Sequence, residues 1–157
     1  MNNTPNNLKE FLNGIFALSP EEIKLYEEAF IHSSGDSLPN NQRLAFLGDS
    51  VLKLIIREHF YNKYPDWDRG KLTKICGEKK ESNTNFADIA IKLGLVKYMD
   101  IKNRPPETET HKKVNAEALE ALFGAIYLNR GFEETKRIAE KYILVNIENP
   151  ETDSIDG

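Results

Sequence analysis

At 157 residues the chain has the length of one domain and can bury a sizeable core. With 39% hydrophobic and 29% charged residues it reads as an ordinary globular protein, and neither a membrane-spanning run nor a signal peptide's apolar region is present, so no membrane partner is expected. A net charge of −4 argues against a nucleic-acid binder that works by charge alone, and the single cysteine, Cys76, excludes an internal disulfide and a multi-cysteine zinc site.

Residues 1–6 are polar and are expected to be frayed. Leu8, Phe11, Leu12, Ile15 and Phe16 then give a short amphipathic helix. Ser19-Pro20-Glu21-Glu22 reads as the start of a second helix, with Ser19 as cap, Pro20 in the first turn and Glu22 reaching back. That helix is expected to run to about His32, and residues 33–40, with Gly35 and Pro39, form a loop.

A long helix pattern opens at Asn41 and continues towards Tyr64. Leu44, Leu47, Val51, Leu54 and Ile55 recur at helical spacing and predict one buried face. Gln42, Ala45 and Asp49 fall on one stripe of the same helix. A carboxylate in the middle of an apolar pattern is costly unless it is paired, hydrogen-bonded or bound to a metal. Pro65 to Gly70 break the helix, and Trp67 there reads as a core or loop anchor.

Helices are expected over about 71–80 and from Asn83 to Leu93, the latter closed by Gly94. Lys71, Lys74, Lys79 and Lys80 cluster here, as a solvated face or as a phosphate-contacting surface. Residues 99–112, with Pro105-Pro106 and alternating Glu and Thr, read as a mobile loop. Lys113 to about Asn129 forms a second long apolar helix with Glu117 and Glu120 on one face. Gly131 separates it from a last amphipathic helix, Glu133 to about Asn146, and residues 148–157 read as a disordered acidic tail. No strand-like alternation stands out, so the class is all-α, with one domain over residues 7–147.

An Asp on one long helix and a Glu pair on another can converge on a hard dication such as magnesium, which takes oxygen ligands and keeps several waters. On spacing alone the same acids also read as ordinary solvated helix charges.

The stretch Arg43-Leu44-x-Phe46-Leu47-Gly48-Asp49-Ser50-Val51-Leu52 resembles the signature of the ribonuclease III family. Ala116-Glu117-x-x-Glu120-Ala121-Leu122-x-Gly124-Ala125-Ile126-Tyr127-Leu128 is similar to that family's second acidic motif. Ala29-Phe30-Ile31-His32-Ser33-Ser34 is a weaker match to a segment that precedes the signature. The three stand in the family's order, across roughly Leu8 to Ile143.

The resemblance implies the helical endonuclease fold, a homodimer, and cleavage of double-stranded RNA by magnesium-assisted hydrolysis that leaves short 3′ overhangs, with manganese able to substitute. Asp49 and Glu120 match two central acids of the family, and Glu117 stands where the family usually has Asp; these three are the expected metal ligands. Lys113 matches a lysine of Dicer-like members and joins them as a catalytic candidate. Phe46 matches an aromatic that packs into the partner subunit, the bland alternative being plain intramolecular core. Gln42, Lys71 and Lys74 are candidate RNA contacts. A cytoplasmic location is expected, or a nuclear one in a eukaryote. The family's double-stranded-RNA-binding domain does not follow the catalytic one here, and three alternatives stand: it was lost, it is supplied by a separate RNA-binding protein as a further partner, or the chain is a fragment.

Three departures matter. The signature's two Glu positions are Gln42 and Ala45, the second normally a metal-site carboxylate, and Arg69-Gly70 stands where many bacterial members have Glu before Gly. The competing expectation is therefore a weakly active or non-catalytic relative that binds structured RNA or a ribosomal or protein partner.

Overall fold

A computed structural model describes residues 4–35, 38–101 and 110–148. Eight α-helices are found among them: α1 (Thr4–Asn13), α2 (Ile23–Ala29), α3 (Gln42–Lys63), α4 (Arg69–Lys74), α5 (Asn83–Leu93), α6 (Thr110–Arg130), α7 (Phe132–Ala139) and α8 (Val145–Ile147). The fold is all-α. No helix among the described residues is long and apolar enough to cross a membrane.

The two motif helices, α3 and α6, form the most extensive helix pair, and α5 packs on α6 from the other side. Leu52, Ile55, Ile56 and Phe60 of α3 meet Leu119, Leu122, Phe123 and Ile126 of α6 in one buried core. Each such side chain contributes roughly 1.5–3 kcal/mol on burial. The helices can pack this closely because they cross at glycines. A Cβ on Gly124 would stand 2.2 Å from the Leu44 carbonyl oxygen, so backbone lies directly against backbone.

Local chemistry sets three of the helix ends. Asp68 caps α4 by accepting from the Lys71 amide at 2.8 Å, and Ser82 caps α5 by accepting from the Asn85 amide at 3.2 Å. Gly94 ends α5 in the left-handed region at φ 73°, donating its N–H to Ala90 and Ile91. The helix expected over 71–80 starts two residues earlier and changes after Lys74 into a π-helical segment, Ile75–Lys80. Arg57 grips the end of that segment through a bidentate pair to the buried Glu81, at 2.7 and 2.9 Å. The last helix likewise passes through a π-helical segment, Glu140–Leu144.

Some expectations need correction. Helix α2 starts at Ile23 and ends at Ala29, short of His32, because Phe30 and His32 give their backbone groups to Asp100 instead: the Asp100 amide donates to Phe30 O at 2.8 Å and the His32 amide to Asp100 O at 3.0 Å. Glu22 does reach back, accepting from the Ser19 amide at 2.6 Å, although the residues between them form a turn and not the helix itself. Leu54 is exposed, since it stands two residues beyond Leu52 and hence on the far side of α3. Helix α1 begins at Thr4, inside the segment expected to be frayed. Trp67 stacks on Tyr64, with ring centroids 3.9 Å apart, and anchors the break after α3. Glu148, at the start of the stretch read as a tail, pairs with Lys63 at 3.1 Å and with His59. Most of the loop expected over 99–112 and the rest of the tail lie outside the described residues.

Candidate active site

Asp49 and Glu120 meet where α3 and α6 cross. Each is next to, or four residues from, a glycine of the crossing, so the backbone contact sets their carboxyls side by side. Glu120 is 8% exposed, whereas the Asp49 side chain keeps a third of its surface in solvent. Asp49 lies close enough for its carboxylate to act directly on Glu120. Burial pushes the Glu120 carboxyl up to about 8, with the negative charges of Asp49 and Glu117 adding to the rise and Lys53 opposing it.

The other charged groups around this pair are already partnered. Lys53, one turn after Asp49 on α3, holds Asp49 Oδ2 at 2.7 Å. Glu117 accepts from Gln42 Nε2 at 3.2 Å, and the exposed Lys113 ammonium stands 3.8 Å from its other oxygen. Ala45 lies between Gln42 and Asp49 on the same stripe of α3 and is buried, 5% exposed. It puts a methyl group where a carboxylate would carry a fourth charge.

The residues expected at the site therefore divide. Asp49, Glu117, Glu120, Lys113 and Gln42 come together across α3 and α6. Phe46, Lys71 and Lys74 stand apart from them. Phe46 is not core: it is 80% exposed and lines a surface groove with Leu25, Leu44, Leu47 and Leu128. Lys71 and Lys74 are exposed on α4.

No three His, Cys, Asp or Glu side chains among the described residues are gathered tightly enough to hold a metal on their own. Magnesium asks for less. It is commonly held by one or two carboxylates, with waters and substrate phosphate completing the shell. A carboxylate pair with Glu120 buried and Asp49 partly in solvent fits that requirement.

Three residues of the site were not singled out from the sequence: Gly48, Gly124 and Lys53. A signal for the glycines was available. Each sits inside a strongly helical apolar pattern, where glycine costs about 1 kcal/mol against alanine, so a packing reason was to be sought. Lys53 reads as a plain (i, i+4) partner of Asp49 and carries no signal beyond that spacing.

The fold and site define a helical domain with an acidic pair built at a glycine crossing of its two longest helices. A family model described as Ribonuclease-III-like matches residues 22–147. This chain belongs to the ribonuclease III family. It is 36% identical over 125 residues to Ribonuclease 3 of a Nitratiruptor species, an alignment covering 78% of this chain and 55% of that one. It is 38% identical over 141 residues to Ribonuclease 3 of Leptospira interrogans, covering 83% and 55%. A solved nuclease domain of ribonuclease III from Campylobacter jejuni superposes with a TM-score of 0.80 at 30% identity, covering 89% of this chain and 98% of that one. The chain thus spans about half the length of the curated relatives, and nearly all of a nuclease domain.

Proposed function

We propose that this domain is an endoribonuclease that cleaves double-stranded RNA by magnesium-dependent phosphodiester hydrolysis, leaving short 3′ overhangs. The observation that carries the reading is the buried Glu120 carboxyl held against Asp49 at the crossing of the two motif helices. Family membership supplies the reaction class.

Asp49 and Glu120 would hold the ion, with Glu117 at the side of the pair. Magnesium, or manganese in its place, supplies Lewis acidity towards a phosphate oxygen and lowers the pKa of bound water. Asp49 and Glu120 stand at a fixed separation, because the glycine crossing positions both through backbone, and Glu120 gives up its proton as the ion binds. Lys113 leaves its ammonium largely in solvent beside Glu117, and from there it can meet an incoming phosphate. Gln42 keeps a hydrogen-bonding group at the edge of the site, suited to a ribose hydroxyl. Lys71 and Lys74 would contact the RNA backbone from α4, by shape and charge more than by base identity.

The working form is a homodimer that places two such sites in one groove, with Phe46 of each copy as an anchor. An aromatic left 80% exposed beside an apolar groove supports this, as does the Campylobacter jejuni nuclease domain, described as having a region involved in dimer formation. Cytoplasmic action on RNA, alone or with a separate RNA-binding protein, follows from the same reading.

The substitution of Ala45, and the pairing of each solvent-side acid with an amide or ammonium group, favour a second reading: a weakly active or non-catalytic member that binds structured RNA or a protein partner. Cleavage of a perfect RNA duplex across a magnesium titration separates the two. Asp49→Asn and Glu120→Gln should each abolish cleavage and leave the helical circular dichroism unchanged. Near-normal turnover of either variant at saturating magnesium would remove that residue from the site. No cleavage by the wild type at any magnesium concentration would leave the binding role.

A further inference from the structure

We infer that Lys53 is a built-in counter-cation that competes with the divalent ion for Asp49 and thereby sets the metal affinity of the site. The inference rests on the reading of Asp49 as a metal ligand and adds to it a residue that the signature does not assign.

The Lys53 ammonium holds Asp49 Oδ2 at 2.7 Å, and both side chains are about a third exposed. An oxygen held by an ammonium has to be released before it can bind a dication, and a positive charge left nearby repels the ion. Lys53 reaches further than Asp49, since its field also bears on Glu120. Its neighbours explain why an ammonium is tolerated there. Ala45, a turn before Asp49, brings no charge, and Glu117 is partnered by Gln42 and Lys113, so among the described residues Lys53 is the cation paired with Asp49. The long lysine stem has 37% of the side chain's surface exposed, which lets the head swing into water when an ion arrives. Lys53 is thus a positioning residue, acting on the ion through Asp49.

The test is a manganese titration of the full chain without RNA, reading free Mn²⁺ by electron paramagnetic resonance, for the wild type, Lys53→Met, Lys53→Gln, Lys53→Arg and Asp49→Asn. A part-exposed ion pair is individually weak, so removing the lysine charge should tighten Mn²⁺ binding by a factor of about three to five. Both Lys53→Met and Lys53→Gln should do this, and Lys53→Arg, which keeps the charge, should stay near the wild type. Melting temperature gives a second readout. The Lys53→Met protein should melt lower than wild type in chelator and gain more from added Mn²⁺. A change of less than threefold in both neutral variants, with Asp49→Asn still weakening binding, would overturn the inference about Lys53 while leaving the site intact. Asp49→Asn binding Mn²⁺ as tightly as the wild type, or no binding by wild type and neutral variants alike, would instead overturn the metal-site reading beneath it.

Discussion

A Cβ on Gly48 would stand 1.6 Å from the carbonyl oxygen of Glu120 and 2.8 Å from the Gly124 nitrogen. The obstacle is backbone, which cannot swing aside as a side-chain tip can. Helices α3 and α6 must therefore separate if residue 48 gains a side chain, and Asp49 and Glu120 separate with them.

Gly48→Ala should accordingly destabilise the domain. Alanine's helix propensity favours the variant by about 1 kcal/mol, but a Cβ 1.6 Å from a backbone oxygen puts the overpacking cost at the top of its usual range, about 3 kcal/mol, so the clash wins. A net loss near 2 kcal/mol corresponds to a fall in Tm of about 4–8 °C for a domain of this size. Gly77→Ala is the control, since a Cβ there meets nothing within 4 Å. Thermal melts of both variants check this, and a Gly48→Ala protein as stable as wild type would mean that the crossing is looser than described.

Glu120 predicts the pH dependence of the metal-free protein. Its folded-state carboxyl titrates at about 8, above its ordinary value, because of burial first and the charges of Asp49 and Glu117 second. Between the two values the folded state binds a proton that the unfolded state lacks, so stability falls as pH rises through that window and levels off above it. The slope from this one group reaches at most about 1.4 kcal/mol per pH unit. Urea unfolding in chelator at pH 5, 6, 7 and 8 measures it. Glu120→Gln should flatten the curve over this range, and an unchanged slope in that variant would assign the dependence to other groups.

What the sequence made legible follows from which signals are local. The helical class, the long α3 and α6 and the Gly94 cap were readable because period, cap and breaker residues act within a few positions. The acids were readable as two separate stripes, and their meeting only through resemblance, since nothing in the spacing of Asp49 states which turn of α6 faces it. That information sits in Gly48 and Gly124, and its meaning appears only when both backbones are in view. The premature end of α2 was hidden for a similar reason. Asp100, far along the chain, takes the backbone groups that would have carried the helix to His32. Leu54 misled because a broad apolar stripe and a narrow one share most of their members.

Phe46 gives a prediction about assembly. It is exposed in the single chain and borders an apolar groove, so its removal should leave the fold of one copy nearly unchanged. If two copies bury it, Phe46→Ala removes a large aromatic anchor at a loss of roughly 2–4 kcal/mol. The dimer dissociation constant should then rise by about 30- to 900-fold. Sedimentation equilibrium over a concentration series reads this directly. A wild-type protein that is monomeric at tens of micromolar (about 10⁻⁵ M, weaker than typical specific interfaces) would end the two-site groove as an explanation.

Ala45 provides the sharpest test of the acidic site. It is buried on the stripe between Gln42, which is bonded to Glu117, and Asp49, whose charge bears on Glu120, so a longer side chain there enters the space around all three acids. Ala45→Glu should therefore have opposite effects with and without metal. In chelator the added carboxylate is desolvated beside like charges, and Tm should fall below wild type. With magnesium the same carboxylate becomes an extra ligand, and binding to the folded state alone adds about 2.7 kcal/mol when the ion stands a hundredfold above its dissociation constant. The melting temperature of the variant should thus climb more steeply with magnesium than that of the wild type, and duplex cleavage should rise in parallel. Calcium, which binds oxygen ligands with a looser geometry, should restore stability even where it fails to support cleavage. If Ala45→Glu shows the wild-type magnesium dependence in both melting and cleavage, position 45 does not face a metal site, and the binding role becomes the better account of this domain.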